Sequence, residues 1–137
     1  MKKEINVPAI LEQVEKITDF VNGELQEDNL PGKLIRQIDI AIDELFANIA
    51  NYAYEKGKNG SVTVQVETEE APRAVMISFI DSGVPFDPLS HEEPDVSLGA
   101  EERSIGGLGI FLVKKIMDEV NYRFEDGKNI LTIKKYF

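Results

Sequence analysis

Three groups of residues have the types and spacing to do chemistry. Glu44 and Asn48 stand four apart and Asn51 follows three later, so on a helix all three project from roughly one face. They flank an apolar line through Ala41, Leu45 and Ile49, which puts them at the edge of a buried seam. Asparagine is a poor helix former, so two of them in mid-helix carry a cost that needs a reason. A carboxylate at Glu44 could serve as a base. The neutral amide oxygen of Asn48 is a hard ligand suited to Mg²⁺, which takes few protein oxygens and fills its shell with water and phosphate. A solvated stripe, or a buried hydrogen bond to a neighbouring loop, fits the same pattern.

The second group is Asp81-Ser82-Gly83-Val84-Pro85-Phe86-Asp87-Pro88, at the end of an apolar run. An acid at a strand end is an acceptor held rigidly by the sheet. A glycine two residues on lets a flat ligand approach the backbone where a Cβ would clash. An ordinary Asx turn would look the same. The third group, Arg103-Ser-Ile-Gly106-Gly107-Leu108-Gly109, opens an apolar helical run. Glycines at a helix start expose several N–H groups together, and the helix dipole adds partial positive charge, which makes a phosphate cradle. The run lacks the Lys-Ser/Thr ending of a P-loop and follows a polar loop, so it matches neither that motif nor the Rossmann fingerprint. A flexible hinge before a helix is the other reading.

Composition narrows the classes. The chain has 137 residues, with 25 acids against 15 Lys and Arg, for a formal charge of −10. That length predicts one domain over 1–137, long enough for a real core. The acidic balance disfavours nucleic acid as a general partner, because phosphate neutralisation needs a basic field. No cysteine means no disulfide framework and no thiolate site, and the single histidine, His91, makes a Ser-His-Asp triad improbable. No apolar run approaches 18 residues, so the expectation is a cytoplasmic protein that does not span a membrane. Charge is uneven: from Asp87 to Glu102 there are six acids and no Lys or Arg, while Lys114, Lys115, Arg123, Lys128, Lys134 and Lys135 fall near the C-terminus.

The elements that must position these groups follow from hydrophobic period. A short strand over 3–7 stops at Pro8, and Ile10, Leu11, Val14, Ile17, Phe20 and Val21 recur at helical spacing to about Leu25. A second helix is predicted over 33–54 on the line Leu34, Ile38, Ala41, Ile42, Leu45 and Ile49. Alternation predicts strands over 61–68 and 74–80 joined as a hairpin. Residues 84–105 carry three prolines and no sustained period, so they read as a long loop, of the kind that is either a functional lid or disordered. Ile110, Phe111, Val113, Ile116, Met117 and Val120 predict a third helix, and two closing strands, about 121–125 and 130–136, meet at Asp126-Gly127, a hairpin signal. The order β-α-α-β-β-α-β-β implies an α+β fold, a two-layer α/β sandwich with helices on one face of a mixed, mostly antiparallel sheet.

In that order, the Glu44/Asn48 helix, the Asp-x-Gly strand end and the Gly-x-Gly helix start resemble the ATP-binding domain of the GHKL superfamily. That superfamily has the histidine-kinase-like ATPase fold, and the resemblance runs from about Lys33 to Phe137. Within it, the opening Glu4-Ile-Asn-Val-Pro8, Tyr54, Pro85-Phe86-Asp87-Pro88 and Glu101-Glu-Arg103-Ser resemble the small bacterial anti-sigma factor serine/threonine kinases. The resemblance implies ATP and Mg²⁺ as ligands. Asp81 would accept from the adenine amine, Gly83 would give the ring room, and Thr132 would support the same edge through water. Asn48 would bind Mg²⁺ with Asn51 nearby, and Gly106, Gly107, Leu108 and Gly109 would bring N–H groups to the phosphates. Glu44 would deprotonate the attacking hydroxyl of a protein serine or threonine, and Arg103 would meet the γ-phosphate or the partner. A sigma factor and an antagonist protein are the implied partners, and a homodimer is expected. Two positions depart from the family pattern: Pro85 replaces the second glycine of Asp-x-Gly-x-Gly, and Tyr52 stands where many of these kinases have histidine. The implied activity is ATP-dependent phosphorylation of the antagonist; a module that binds ATP to control a partner without phosphotransfer is the alternative.

Overall fold

Apolar alternation builds one sheet. The computed structural model describes residues 2–54, 60–90 and 107–137. Five strands, β1 (Lys3–Pro8), β2 (Ser61–Glu70), β3 (Arg73–Asp81), β4 (Glu119–Glu125) and β5 (Lys128–Tyr136), lie in the order β1-β2-β3-β5-β4. Every pairing among the described residues is antiparallel. Helices α1 (Val14–Leu25), α2 (Gly32–Tyr52) and α3 (Gly107–Ile116) complete the α+β arrangement that the element order implied.

Period two decides which side chains enter the core. Val62, Val64 and Val66 of β2, Ile77 and Phe79 of β3, and Leu131 and Ile133 of β5 are buried together with the helices. Register places Ile77 opposite Ile133 and Phe79 opposite Leu131, so the inner face is filled in rows. The helix α2 buries Ile38, Ala41, Ile42, Leu45, Phe46 and Ile49. Phe46 widens the expected stripe, since a helix laid flat on a sheet buries a face broader than one i, i+4 row. The outer face is polar where its side chains pair: Ser78 and Thr132 hydroxyls share a hydrogen bond of 2.9 Å, and Asn6 Nδ2 donates to Thr63 Oγ1 at 2.9 Å.

The turns follow local chemistry. Asp126 and Gly127, with φ of 53° and 77°, adopt the left-handed pair that a tight hairpin twist requires, and Gly127 does so at no steric cost. Two expectations shift at element ends. Residues 11–13 form a 3₁₀ turn before α1, so Ile10 and Leu11 fall out of helical phase and are 49% exposed each. Val120 belongs to β4 opposite Ile133, not to the third helix. The chain leaves α3 because the sheet captures it: the Asp118 N–H bonds to the Lys134 carbonyl at 3.0 Å, while Lys135 Nζ caps the Ile116 carbonyl at 2.7 Å. Of the expected long loop, 88–90 forms a short 3₁₀ turn, and 91–106 lies outside the described residues, with His91, Arg103 and Gly106.

Candidate functional site

Where β3 ends, its last side chain still faces inward. Asp81 is in phase with Ile77 and Phe79 and is 6% exposed, on the face covered by α2. It opens into a cleft of roughly 450 Å³, a figure that includes space open to solvent. Leu45, Asn48, Ile49 and Tyr52 of α2 form one wall. Phe79, Asp81, Leu131, Asn129 and Tyr122 form the sheet wall, and Val84 and Phe86 of the following turn close the end. A helix row at i, i+3, i+4 and i+7 facing a sheet row at period two produces these two walls. The lining is mostly apolar, with a few convergent polar groups.

Asp81 uses one oxygen to hold the turn. Its Oδ1 accepts the Gly83 N–H at 2.9 Å and the Asn129 Nδ2 at 3.0 Å, and Oδ2 has no hydrogen-bond partner among the described residues. Gly83 is required by the protein itself. A Cβ there would overlap the Ala53 carbonyl, 2.6 Å from its carbon and 2.8 Å from the Ala53 Cβ. The space a side chain would take at Gly83 is filled by the end of α2. The Val84 N–H bonds to the Ala53 carbonyl at 2.9 Å, and Tyr54 bridges the same region, accepting from the Ser82 N–H at 2.9 Å and donating to the Ser61 carbonyl at 2.7 Å.

Glu44 meets the start of α3. A Cβ built on Gly109 would overlap Glu44 Oε2 and stand 3.2 Å from its Cδ, so the carboxylate lies against the bare backbone of the first turn of α3. Gly107 and Leu108 are the first two residues of that helix. Asn48, one turn beyond Glu44, lines the cavity that Asp81 opens into. Glu44 thus meets the glycine start of α3, and Asn48 and Asp81 share the cavity, whose lining includes neither Glu44 nor a residue of α3.

Asn51 and Thr132 are not brought in. Asn51 is exposed and lies outside the cavity lining. Thr132 is a correction: β5 alternates Asn129, Leu131 and Ile133 inward, so Thr132 points to the opposite face, bonded to Ser78 across the sheet. The residue beside Asp81 is Asn129, its register partner, 6% exposed. Parity could have found it, since Asn129 is in phase with the apolar Leu131 and Ile133. Tyr122 joins from β4, donating its hydroxyl to Asn129 Oδ1. Burial raises the Tyr122 phenol above its ordinary range, the Phe86 backbone bond opposes that, and Asp87 and Asp81 raise it further, so it stays a donor at neutral pH. No group of three or more His, Cys, Asp or Glu side chains suited to a metal occurs among the described residues. No helix there is long and apolar enough to cross a membrane.

Known proteins share this architecture. A family model described as histidine kinase-like ATPase domain matches residues 7–135. The serine-protein kinase RsbW of Listeria monocytogenes is 28% identical over 134 residues, covering 95% of this chain and 84% of that protein. The Staphylococcus aureus protein of the same name is 30% identical over 135 residues, covering 93% and 82%. Among solved structures, the RsbU and RsbW domains of Rv1364c from Mycobacterium tuberculosis superimpose with a TM-score of 0.69 at 16% identity, over 98% of this chain and 32% of that one. The histidine kinase domain of EL346 from Erythrobacter litoralis gives 0.58 at 15%, over 94% and 61%. At such identities the two structures speak for the fold alone. The sequence match over nearly the whole length carries the relationship: the chain belongs to the histidine kinase-like ATPase domain family.

Proposed function

We propose that this protein is an ATP-dependent serine/threonine protein kinase that phosphorylates an antagonist protein and, as an anti-sigma factor, restrains a sigma factor. The observation that carries the reading is the Glu44 carboxylate against Gly109 in the first turn of α3, one helical turn from Asn48 in the Asp81 cavity. Kinase relatives at 28–30% identity support the same reaction class.

The residues fit the ligands. Apolar walls from Ile49, Phe79 and Leu131 suit a planar base, and Asp81 Oδ2, without a partner among the described residues, can accept from the exocyclic amine of adenine. The first amides of α3, at Gly107, Leu108 and Gly109, suit phosphate oxygens because helix-start N–H groups lack partners within the helix. Asn48 offers Mg²⁺ one neutral oxygen, consistent with an ion that takes most of its shell from phosphate and water. When bound, Mg²⁺ neutralises phosphate charge.

Glu44 then does the work left to the protein. It takes the proton of a partner serine hydroxyl as that oxygen bonds to the γ-phosphorus and the bond to the leaving ADP oxygen breaks. Positioning and charge neutralisation supply most of such a rate, and a well-placed base adds about 10²- to 10⁴-fold. Glu44→Gln should keep ATP affinity and lose transfer of label from γ-labelled ATP to the partner captured by pull-down. If wild type binds ATP and labels no captured partner, the chain is a nucleotide-controlled binding module instead. Full labelling by Glu44→Gln would remove the assigned base.

A further inference from the structure

The side chain that touches most of the closed end of the cavity is not one that recognises ligand. Asn129 Nδ2 donates to Asp81 Oδ1 at 3.0 Å and to the Val84 carbonyl at 2.9 Å. Its Oδ1 accepts the Phe86 N–H at 3.2 Å and the Tyr122 hydroxyl. Acceptors at one end, the Gly83 carbonyl at 3.5 Å being a longer third, and two donors at the other fix the amide orientation. A carboxamide has two N–H donors and two lone pairs, so all four are in use. Asn129 has nothing left to offer a nucleotide. Its bonds reach instead to three separate segments: the end of β3, the turn over 83–86, and β4.

We infer that Asn129 and Tyr122 form a latch that fixes the 83–86 turn and the Asp81 carboxylate in one arrangement, making them positioning residues for base selection. The inference rests on the kinase reading for the identity of the ligand, but the latch itself is a property of the nucleotide-free protein. With Oδ1 engaged by Gly83 and Asn129, the carboxylate presents Oδ2 to the cavity in a single direction. An oxygen fixed that way accepts from the amine of adenine and opposes the oxo group that guanine carries at the equivalent position. Released from Asn129, Asp81 can rotate, and that discrimination weakens.

The titratable groups bonded to Asn129 are Asp81 from β3 and Tyr122 from β4, with Asp87 of the following loop acting on Tyr122 and Tyr52 of α2 on the same cavity. Asn129→Asp would set two carboxylates about 3 Å apart, which cannot both ionise freely and share a proton. The protonated form restores a donor toward Asp81, whereas the ionised form repels it.

Magnesium-ATP and magnesium-GTP titrations, with amide exchange on the nucleotide-free protein, test the latch. Asn129→Ala should weaken ATP binding about ten- to a hundredfold. It should also narrow the ATP-to-GTP ratio and speed exchange at the Gly83 and Phe86 amides while Phe79 stays protected. Asn129→Asp should regain ATP affinity as pH falls through the raised pKa of the carboxylate pair, where wild type stays level. If Asn129→Ala does not fold, Tyr122→Phe should still speed exchange at Phe86 and lower ATP affinity about two- to tenfold. ATP affinity within twofold of wild type at unchanged selectivity, or a pH profile for Asn129→Asp parallel to wild type, overturns the latch. Wild type that binds neither nucleotide refutes the kinase reading alone; exchange at Gly83 and Phe86 then decides, and unchanged exchange in Asn129→Ala overturns the latch.

Discussion

Gly109→Ala separates stability from chemistry at a single position. In most helices such a change helps: alanine is better than glycine by about 0.8–1 kcal/mol in a helix interior. Gly109 lies within α3, and its backbone is not in the left-handed region, so the methyl meets no conformational penalty. What it meets is Glu44, overlapping Oε2 and standing 3.2 Å from Cδ. The obstacle is the far end of a flexible side chain, so the carboxylate rotates away at a cost of about 0.5–1.5 kcal/mol. These two terms nearly cancel, and the melting temperature should move by no more than about 2–4 °C. The base, however, is displaced by an ångström or more, which costs about 10²-fold where positioning matters. The assay pairs thermal unfolding with label transfer from γ-labelled ATP to the captured partner. Adding Gly109→Ala to Glu44→Gln should cost little further activity, because both act through one carboxylate. Transfer within threefold of wild type in the single variant would mean that Glu44 touches α3 for packing only, and the assignment of the base would fall.

Other sites give independent checks. Asn48→Ala should weaken ATP binding in the presence of magnesium and leave metal-free binding within about twofold, read by titration calorimetry with and without chelator; equal losses would contradict a metal-ligand role. Gly83→Ala forces a methyl into the Ala53 carbonyl and should destabilise by about 1–3 kcal/mol in urea unfolding. Asp39 is raised above its ordinary pKa by burial, partly offset by the Asn22 hydrogen bond and reinforced by Asp43. Its contribution is therefore fully present below the unfolded pKa and lost as pH rises through the higher folded value. Asp39→Asn should melt higher than wild type at neutral pH, with the gap closing as pH falls below the ordinary carboxylate range, measured as a pH series of melting temperatures.

Local pattern carried much of this protein. The seam Ile38, Ala41, Ile42, Leu45 and Ile49 and its polar neighbours Glu44 and Asn48 repeat at helical spacing, and that period is a property of the chain before it folds. Val62, Val64 and Val66 announce a half-buried strand for the same reason, and Asp126-Gly127 announces a turn because few residues tolerate positive φ at two successive positions. Tertiary structure decided what local pattern leaves open. Asp81 and Asn129 are 48 residues apart and become neighbours only through the β3–β5 register. A strand shifted by one residue would have turned Thr132 inward and Asn129 out, since side chains alternate strictly across a sheet. Gly83 serves the approach of a turn to the end of α2, and Gly109 leaves room for a carboxylate from another helix; each depends on atoms far away in sequence. Sequence determined which residues could do chemistry, and packing determined which of them meet.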